Sequence, residues 1–208
     1  MEFEIKIPQS ATDLRIKHYK ALKNPDAFTD ESDEGRIQFL CDFLNLKLHQ
    51  VRLLKPEHVD KIFRYSAVAF AGMKIGSEPP KEIVLDGKTF ERIDPKKVGI
   101  GWHIDMNEAS KGNWLEKKPV HLACLFYYPK GYEYGALDSN DNLIHPIKDR
   151  LELFENNFML QTFMESTAFF LGYYAKSKRK LIIQKLAQKQ ILKLLNKVRS
   201  LLGKKPLT

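Results

Sequence analysis

Residues 83–90 of the chain read Ile83-Val84-Leu85-Asp86-Gly87-Lys88-Thr89-Phe90, two short apolar arms around an Asp-Gly pair. Asp-Gly tolerates the positive φ angles that a two-residue hairpin turn requires. The stretch therefore predicts a β-hairpin. It decides the fold class because the segments on both sides of it carry helical patterns instead.

The segments before the hairpin predict helices and one short strand. Apolar residues between 37 and 48 recur every three or four positions, as on one buried helix face. A further helix is predicted from Pro56 to about Met73, because proline is tolerated in the first helical turn. Residues 3–7 alternate apolar and charged side chains, which predicts a short half-buried strand. Whether this strand joins the hairpin as a third member is left open.

The segments after the hairpin are also mostly helical in pattern. Ile104 could open a short helix that Gly112 closes, and a buried helix is predicted from Val120 to a stop at Pro129. Residues 132–145 are rich in Gly, Asp and Asn and predict an exposed loop. Helices over 147–155 and 157–174 follow. The fold class is mainly α with a small β-hairpin.

The last segment, about Lys178 to Leu202, predicts a long basic amphipathic helix. Its apolar positions have the spacing of a helix-packing seam. The seam residues are Ile191, Leu194, Val198 and Leu201. We therefore expect a mainly helical body over residues 1–175 and a separate basic helix over residues 176–208.

Charge is distributed unevenly along the chain. The net charge is +8, yet residues 166–208 contain eleven basic side chains and no acidic one, so residues 1–165 carry a net charge of −3. The predicted binding residues in this segment are Lys178, Arg179, Lys180, Lys185, Lys189, Lys193, Lys197 and Arg199. They could bind an acidic protein surface or nucleic acid phosphates. A solvated helix face, packed through its leucines, explains the same pattern.

Composition and motifs favour an intracellular protein that is not an enzyme. The N-terminus lacks the apolar run of a signal peptide, and Cys41 and Cys124 are far apart, as in proteins of reducing compartments. No apolar stretch reaches the roughly 20 residues of a membrane span. The sequence has no phosphate-binding glycine loop, no dinucleotide fingerprint and no His-x-x-x-His pair. We expect no catalytic residue, no metal ligand and no cofactor.

The strongest catalytic alternative is His103-Ile104-Asp105. A His-x-Asp pair with a later histidine, here His145, is the ligand set of non-haem iron oxygenases, and Arg150 could anchor a co-substrate carboxylate. The pattern is short and unspecific, and such sites sit in folds of many strands. A surface turn is therefore the preferred interpretation of this motif.

The order of segments over residues 1–170 resembles a family of small proteins encoded among the virion genes of tailed bacteriophages. The matching features are a first strand and proline, a helix, a Phe-x-Cys-like helix core and its continuation, a hairpin, an Ile-Asp segment and an Ala-x-Leu-x-Tyr-x-Pro-like helix end. In this sequence they are Phe3–Pro8, Leu14–Leu22, Phe39-Leu40-Cys41 with Val51–Val59, Ile83–Phe90, Ile104-Asp105-Met106 and Ala123–Pro129.

The resemblance implies a phage morphogenesis or virion-associated protein, such as a tail-assembly chaperone, in the cytoplasm of the infected cell. Its partners would be phage structural or assembly proteins with acidic surfaces. Retention in the virion and oligomerisation are left open. The lysine-rich last helix does not match the family pattern, so the role of that helix is not implied by the resemblance.

Overall fold

The computed structural model describes residues 5–23, 32–74, 76 and 78–177, with residues 23 and 174–177 described by their backbone alone. This part of the chain contains nine α-helices and a three-stranded antiparallel sheet, which confirms the predicted fold class. No helix within these residues has both the length and the apolar composition that crossing a bilayer requires.

The described residues form two compact units. The first holds the described residues up to 74 together with Met159–Gln161, and the second holds Gly76–Phe158 and residues 162–177. The predicted separation of a 1–175 body from a 176–208 helix stays a prediction, because residues after 177 lie outside the described part.

Helices account for most of the first unit. Two 3-10 turns, Ala11–Asp13 and Ile16–His18, precede α1 (Tyr19–Lys23), α2 (Asp33–Leu44), α3 (Leu48–Val51) and α4 (Pro56–Ala71). The Ser32 side chain caps α2 by accepting a hydrogen bond from the Gly35 amide, and Asn45 ends that helix in the left-handed conformation. Pro56 begins α4, as predicted.

Aromatic rings form the core of the first unit. Phe39 lies 5.3 Å from Phe43 and 4.9 Å from Phe63, and Phe43 contacts Phe70 edge-on at 5.6 Å, all between ring centroids. These contacts join α2 to α4. The Ile62 side chain, on the same face of α4, is also buried.

The hairpin of the second unit lies where the sequence places it. Strands β1 (Glu82–Leu85) and β2 (Lys88–Arg92) pair antiparallel, with Leu85 opposite Lys88. Asp86 and Gly87 form the turn with φ angles of 48° and 73°, the pair of positive values that an Asp-Gly turn accommodates.

Five helices and a third strand complete the second unit. The helices are α5 (Ile100–Lys111), α6 (Trp114–Lys117), α7 (Pro119–Phe126), α8 (Leu151–Asn157) and α9 (Leu160–Ser177), and the strand is β3 (Tyr127–Pro129). A 3-10 turn at Ile147–Arg150 precedes α8. The first residues of α9 belong to the first unit. Trp102 of α5 is fully buried and donates a 2.7 Å hydrogen bond to the Leu125 carbonyl. Phe126 and Phe170 stack at 4.6 Å beside it.

Several sequence expectations differ from the structure. The helix face predicted between residues 37 and 48 is interrupted, because α2 ends at Leu44 and the Leu48 side chain, at the start of α3, is 47% exposed. The surface turn expected at residues 103–105 is instead part of α5.

Two expectations about strands were also wrong. The helix expected to run to Pro129 ends at Phe126, and Tyr127 instead pairs with Arg92 as the first residue of the third strand. Pro129 favours an extended conformation at Tyr128, the residue before it. Residues 5–7 do not join the sheet, and residues 1–4 lie outside the described part.

The stretch expected as one helix over Leu14–Leu22 is also interrupted. Leu14 and Arg15 are extended, and Arg15 forms an isolated antiparallel bridge with Met159. The Leu160 amide donates to the Leu14 carbonyl at 3.0 Å. These long-range bonds hold the backbone out of the helical conformation, so only the 3-10 turn Ile16–His18 and the short α1 follow.

Candidate docking surface on the second unit

The loop between β3 and the turn at Ile147 is organised by one carboxylate. Asp138 accepts hydrogen bonds from the amides of Asn140 at 2.8 Å and Asn142 at 3.0 Å. Those amide donors hold the pKa of the Asp138 carboxyl below its usual value. The backbone then closes on itself, because the Asp138 amide donates to the Asn142 carbonyl and the Ile144 amide donates to the Ala136 carbonyl.

This closure makes Leu137 and Leu143 partners in an antiparallel bridge. Directly opposed residues of such a pair project from the same face of the ribbon. Both side chains are exposed, Leu137 by 53% and Leu143 by 50%. Two further large apolar side chains of the loop, Tyr132 and Ile144, are also exposed. We call these four residues the loop patch.

Tyr134 anchors the loop to α5. Its hydroxyl donates a hydrogen bond to the Asp105 carboxylate, and its ring lies 5.1 Å from the buried ring of Tyr128. Burial, followed by the hydrogen bond and charge of Asp105, raises the pKa of Tyr134, so the phenol keeps its proton at neutral pH and acts as the donor. The loop is therefore attached to α5 through Tyr134, near its start, in addition to its covalent ends.

The second attachment is aromatic. His145 meets the Tyr132 ring edge-on at 4.3 Å and lies 6.1 Å from Tyr128. Beneath Tyr128 lies the guanidinium of Arg150, 4.8 Å from the ring centroid. The Nη1 group of Arg150 donates to the carbonyls of Cys124 and Tyr127, each at 3.0 Å, which fixes the base of the loop to the end of α7.

The loop carries only negative charge. Glu133, Asp138 and Asp141 lie within it, and no lysine or arginine occurs between Gly131 and Ile147. None of the ion pairs found in the described part of the chain involves these three carboxylates. The loop patch is thus an exposed apolar surface within an acidic surround, held in one conformation by the bonds around it.

The residues of the iron hypothesis have structural contacts. His103 and Asp105 lie two positions apart on α5, a spacing that directs side chains to different sides of a helix. Asp105 accepts the Tyr134 hydrogen bond, and Arg150 is 95% buried against backbone carbonyls. Among residues 5–177 that the structure describes, no group of three or more His, Cys, Asp or Glu side chains is placed to hold a metal ion.

The two cysteines are poor nucleophiles in this environment. Burial raises the pKa of the Cys124 thiol to about 12, and burial together with the charge of Asp42 raises the pKa of the Cys41 thiol. A thiol with a raised pKa is protonated at neutral pH, whereas the thiolate is the reactive form.

The binding residues predicted from the sequence lie outside the described residues. This holds for every predicted cation, namely Lys178, Arg179, Lys180, Lys185, Lys189, Lys193, Lys197 and Arg199. It holds equally for the helix seam of Ile191, Leu194, Val198 and Leu201. Those assignments stay predictions.

Sequence reasoning anticipated an exposed loop over residues 132–145 but not its apolar patch. The signal was present: Leu137 and Leu143 flank the turn-forming stretch Asp138–Asn142 on both sides. Two apolar residues at equal distances from a polar turn are the pattern of a small hairpin. Their exposure, however, depends on what packs against the loop, which local sequence does not specify.

Comparison with known proteins found no relative. No protein-family model matches the chain, and no significant match was found among curated proteins or solved structures.

Proposed function

We propose that this protein is a non-enzymatic bacteriophage morphogenesis or virion-associated protein that acts in tail assembly by docking onto other proteins. The phage context comes from the resemblance of residues 1–170 to virion-gene proteins. The docking mechanism is supported by one observation above all, the exposed Leu137–Leu143 pair on a loop that internal hydrogen bonds hold in place.

Apolar burial would supply the binding free energy. Complete burial of a fully exposed leucine side chain contributes about 1.5–3 kcal/mol. Leu137 and Leu143 are each about half exposed, so burying both would contribute about 1.5–3 kcal/mol in total to an interface. The loop is already ordered by Asp138 and Tyr134. Less conformational entropy is then lost on binding than for a flexible loop, which favours affinity.

The charges restrict the partner. The acidic loop patch suits a partner surface that is apolar with basic surroundings. The basic segment from Lys178 to Arg199 suits a partner with an acidic surface, as expected for an assembling tail or capsid protein. A protein with both surfaces could hold two components of an assembly together in the cytoplasm of the infected cell.

The test is co-purification from infected or expressing cells with the full-length protein and a Leu137→Ser/Leu143→Ser variant. We expect phage structural or assembly proteins to co-purify with the wild type and to be lost with the variant. Val84→Thr, at an exposed strand position of the same unit, is the matched control and should retain them. If phage proteins still co-purify with the double variant, the loop patch does not take part in docking.

The second candidate function is nucleic acid binding through the last segment. The eleven basic and no acidic side chains of residues 166–208 favour it. Neutralising several phosphates makes affinity fall steeply with salt. Retention of the full chain on DNA at low salt, lost on truncation after Ser177 and at moderate salt, would support this function. No retention at low salt would exclude it.

A further inference from the structure

The first unit has a cavity of about 420 Å³ between α2, the connection from α3 to α4, and the start of α4. Ten residues line this cavity, and all of them belong to the first unit. Six of the ten are apolar and four are charged. Cavities of about 300–1,000 Å³ with a mostly apolar lining and a few polar groups are typical of sites that bind small molecules.

The apolar lining comes from all three elements. Leu40 of α2 and Val51 of α3 are 1% and 4% exposed. Ile37 of α2, Leu54 of the connection and Val59 of α4 are half-buried. The Leu54 amide donates a 3.0 Å hydrogen bond to the Val51 carbonyl, which fixes the connection beside the two helices. An apolar ligand would therefore meet a wall that is already formed.

The charged residues of the cavity leave one cation without an ion pair. Arg36 and Asp60 neutralise each other through a 2.8 Å contact between α2 and α4. Asp33 is the first residue of α2, where the positive end of the helix dipole offsets its charge. Arg52 is exposed, and none of the ion pairs in the described part of the chain includes it. A guanidinium can donate two parallel hydrogen bonds to a carboxylate.

We propose that this cavity binds a small aliphatic carboxylate of the fatty acid type. The chain of the ligand lies against Leu40, Val51 and Val59, and its carboxylate pairs with Arg52. Burial of the chain supplies most of the affinity, and Arg52 selects an anionic head group over a neutral or cationic one. This binding activity is separate from docking through the loop patch, because the loop belongs to the second unit.

The experiment titrates the purified full-length chain with octanoate, below the concentration at which octanoate forms micelles, by isothermal titration calorimetry. Octanol and octylammonium carry the same chain with a neutral and a cationic head group, and they are titrated in parallel at constant ionic strength. We expect saturable binding of one octanoate per chain, weaker binding of octanol and the weakest binding of octylammonium.

One variant tests the head group. Arg52→Gln should lower the affinity for octanoate about fivefold, the size expected for a largely exposed ion pair, and should leave the affinity for octanol unchanged. Arg64→Gln removes an exposed cation of α4 that does not line the cavity, so it is the matched control and should bind octanoate like the wild type.

A second variant tests the apolar wall. Val59→Trp should weaken binding of both octanoate and octanol at least tenfold, because the indole would occupy the cavity. Leu53→Ser changes an exposed leucine of the same connection that does not line the cavity, and it should bind both ligands like the wild type. Circular dichroism and urea unfolding verify that each variant keeps the fold. Leu54→Trp fills the same cavity and replaces Val59→Trp if that variant does not fold.

Three results would overturn the inference: no saturable binding of octanoate, binding of octylammonium as tight as that of octanoate, or an affinity that Arg52→Gln and the cavity-filling variant leave unchanged. If octanoate does not bind but the cavity-filling variant loses phage proteins in co-purification, a side chain of a partner occupies the cavity and the inference is also wrong. The proposed docking function is judged separately, by the Leu137 and Leu143 substitutions.

Discussion

The Tyr134 hydroxyl donates a 2.5 Å hydrogen bond to the Asp105 carboxylate, and this bond joins the first part of the loop to helix α5. Both residues are half-buried. The bond is the connection between a helix that packs through Trp102 and a loop whose apolar residues face solvent.

Replacement of Tyr134 by Phe should loosen the loop. A hydrogen bond to a charged group contributes about 1.5–3 kcal/mol when well buried, so we expect a loss of about 1–2 kcal/mol at this half-buried site. Amide hydrogen exchange should rise at Asp138 and Ile144, whose N–H groups close the loop. Tyr132→Phe, which keeps the ring against His145, is the control. Unchanged exchange in Tyr134→Phe would show that the turn alone orders the loop.

Removal of the Asp138 carboxylate should destabilise the turn within the loop. Asp138→Ala leaves the Asn140 and Asn142 amides without their acceptor, so exchange at these amides should accelerate, whereas Asp138→Asn keeps an acceptor oxygen and should change them less. The pKa of this carboxyl is lowered in the folded protein, so its contribution is present above about pH 4, where an aspartate of the unfolded chain is ionised, and is lost as the pH falls further. Exchange that is equal in both variants would contradict this role.

His18 should make the stability of the first unit depend on pH. The side chain is 5% exposed, and its Nδ1 accepts the Arg15 amide at 2.7 Å. Burial, followed by the charge of Lys17, lowers the pKa of His18 from 6.5 to about 4. The unfolded chain therefore binds the proton more readily, and stability should fall as the pH drops from about 6.5 to 4, by about 3 kcal/mol at most.

The matched variant for that pH dependence is His18→Asn, whose side-chain oxygen can replace Nδ1 as the acceptor but does not titrate in this range. Urea unfolding at several pH values measures both proteins. The free energy of unfolding of the wild type should decline more steeply with acid than that of the variant. Parallel declines would mean that other groups cause the acid dependence.

Substitution of alanine for glycine should have opposite effects on stability at two positions. Gly87 has a φ angle of 73° and open space around its Cα, so Gly87→Ala should destabilise the hairpin by about 1 kcal/mol through backbone strain alone. Gly101 also has open space but lies in α5, where alanine is the better helix former, and Gly101→Ala should stabilise by about 0.5 kcal/mol. Thermal unfolding measures both. A stabilising Gly87→Ala would contradict the turn geometry.

Local patterns predicted the elements that local bonding forms. The Asp86-Gly87 turn and the start of α4 at Pro56 are confirmed, because the conformational preferences of these residues agree with the fold around them. The mainly helical class follows from apolar spacing alone. For these features, local sequence patterns were sufficient to predict the structure.

Elements formed by distant pairing were not predictable in this way. Tyr127 leaves the helical pattern because the edge of β2 is available to it, and Arg15 is extended because Met159 pairs with it. Neither partner is near in sequence. The structural role of Arg150 was not predictable for the same reason. The sequence suggested an anchor for a co-substrate carboxylate, whereas Arg150 donates to the Cys124 and Tyr127 carbonyls, which lie at the end of another helix.

The candidate site was missed for a related reason. An apolar residue in a loop predicts burial as readily as exposure, and only the packing around Leu137 and Leu143 shows which occurs. The sequence instead predicted binding residues among the lysines after residue 177, because a run of like charge can be recognised without knowing the fold. The loop patch becomes visible only when accessibility is known.

The burial of Trp102 provides a spectroscopic probe of one half of the molecule. Its indole N–H is bonded to the Leu125 carbonyl, and the chain's other tryptophan, Trp114, belongs to the same unit. Tryptophan emission therefore reports the melting of the second unit alone, whereas far-ultraviolet dichroism reports helices of both. Superimposable denaturation curves from the two signals would mean a single cooperative transition, and separated curves would mean two.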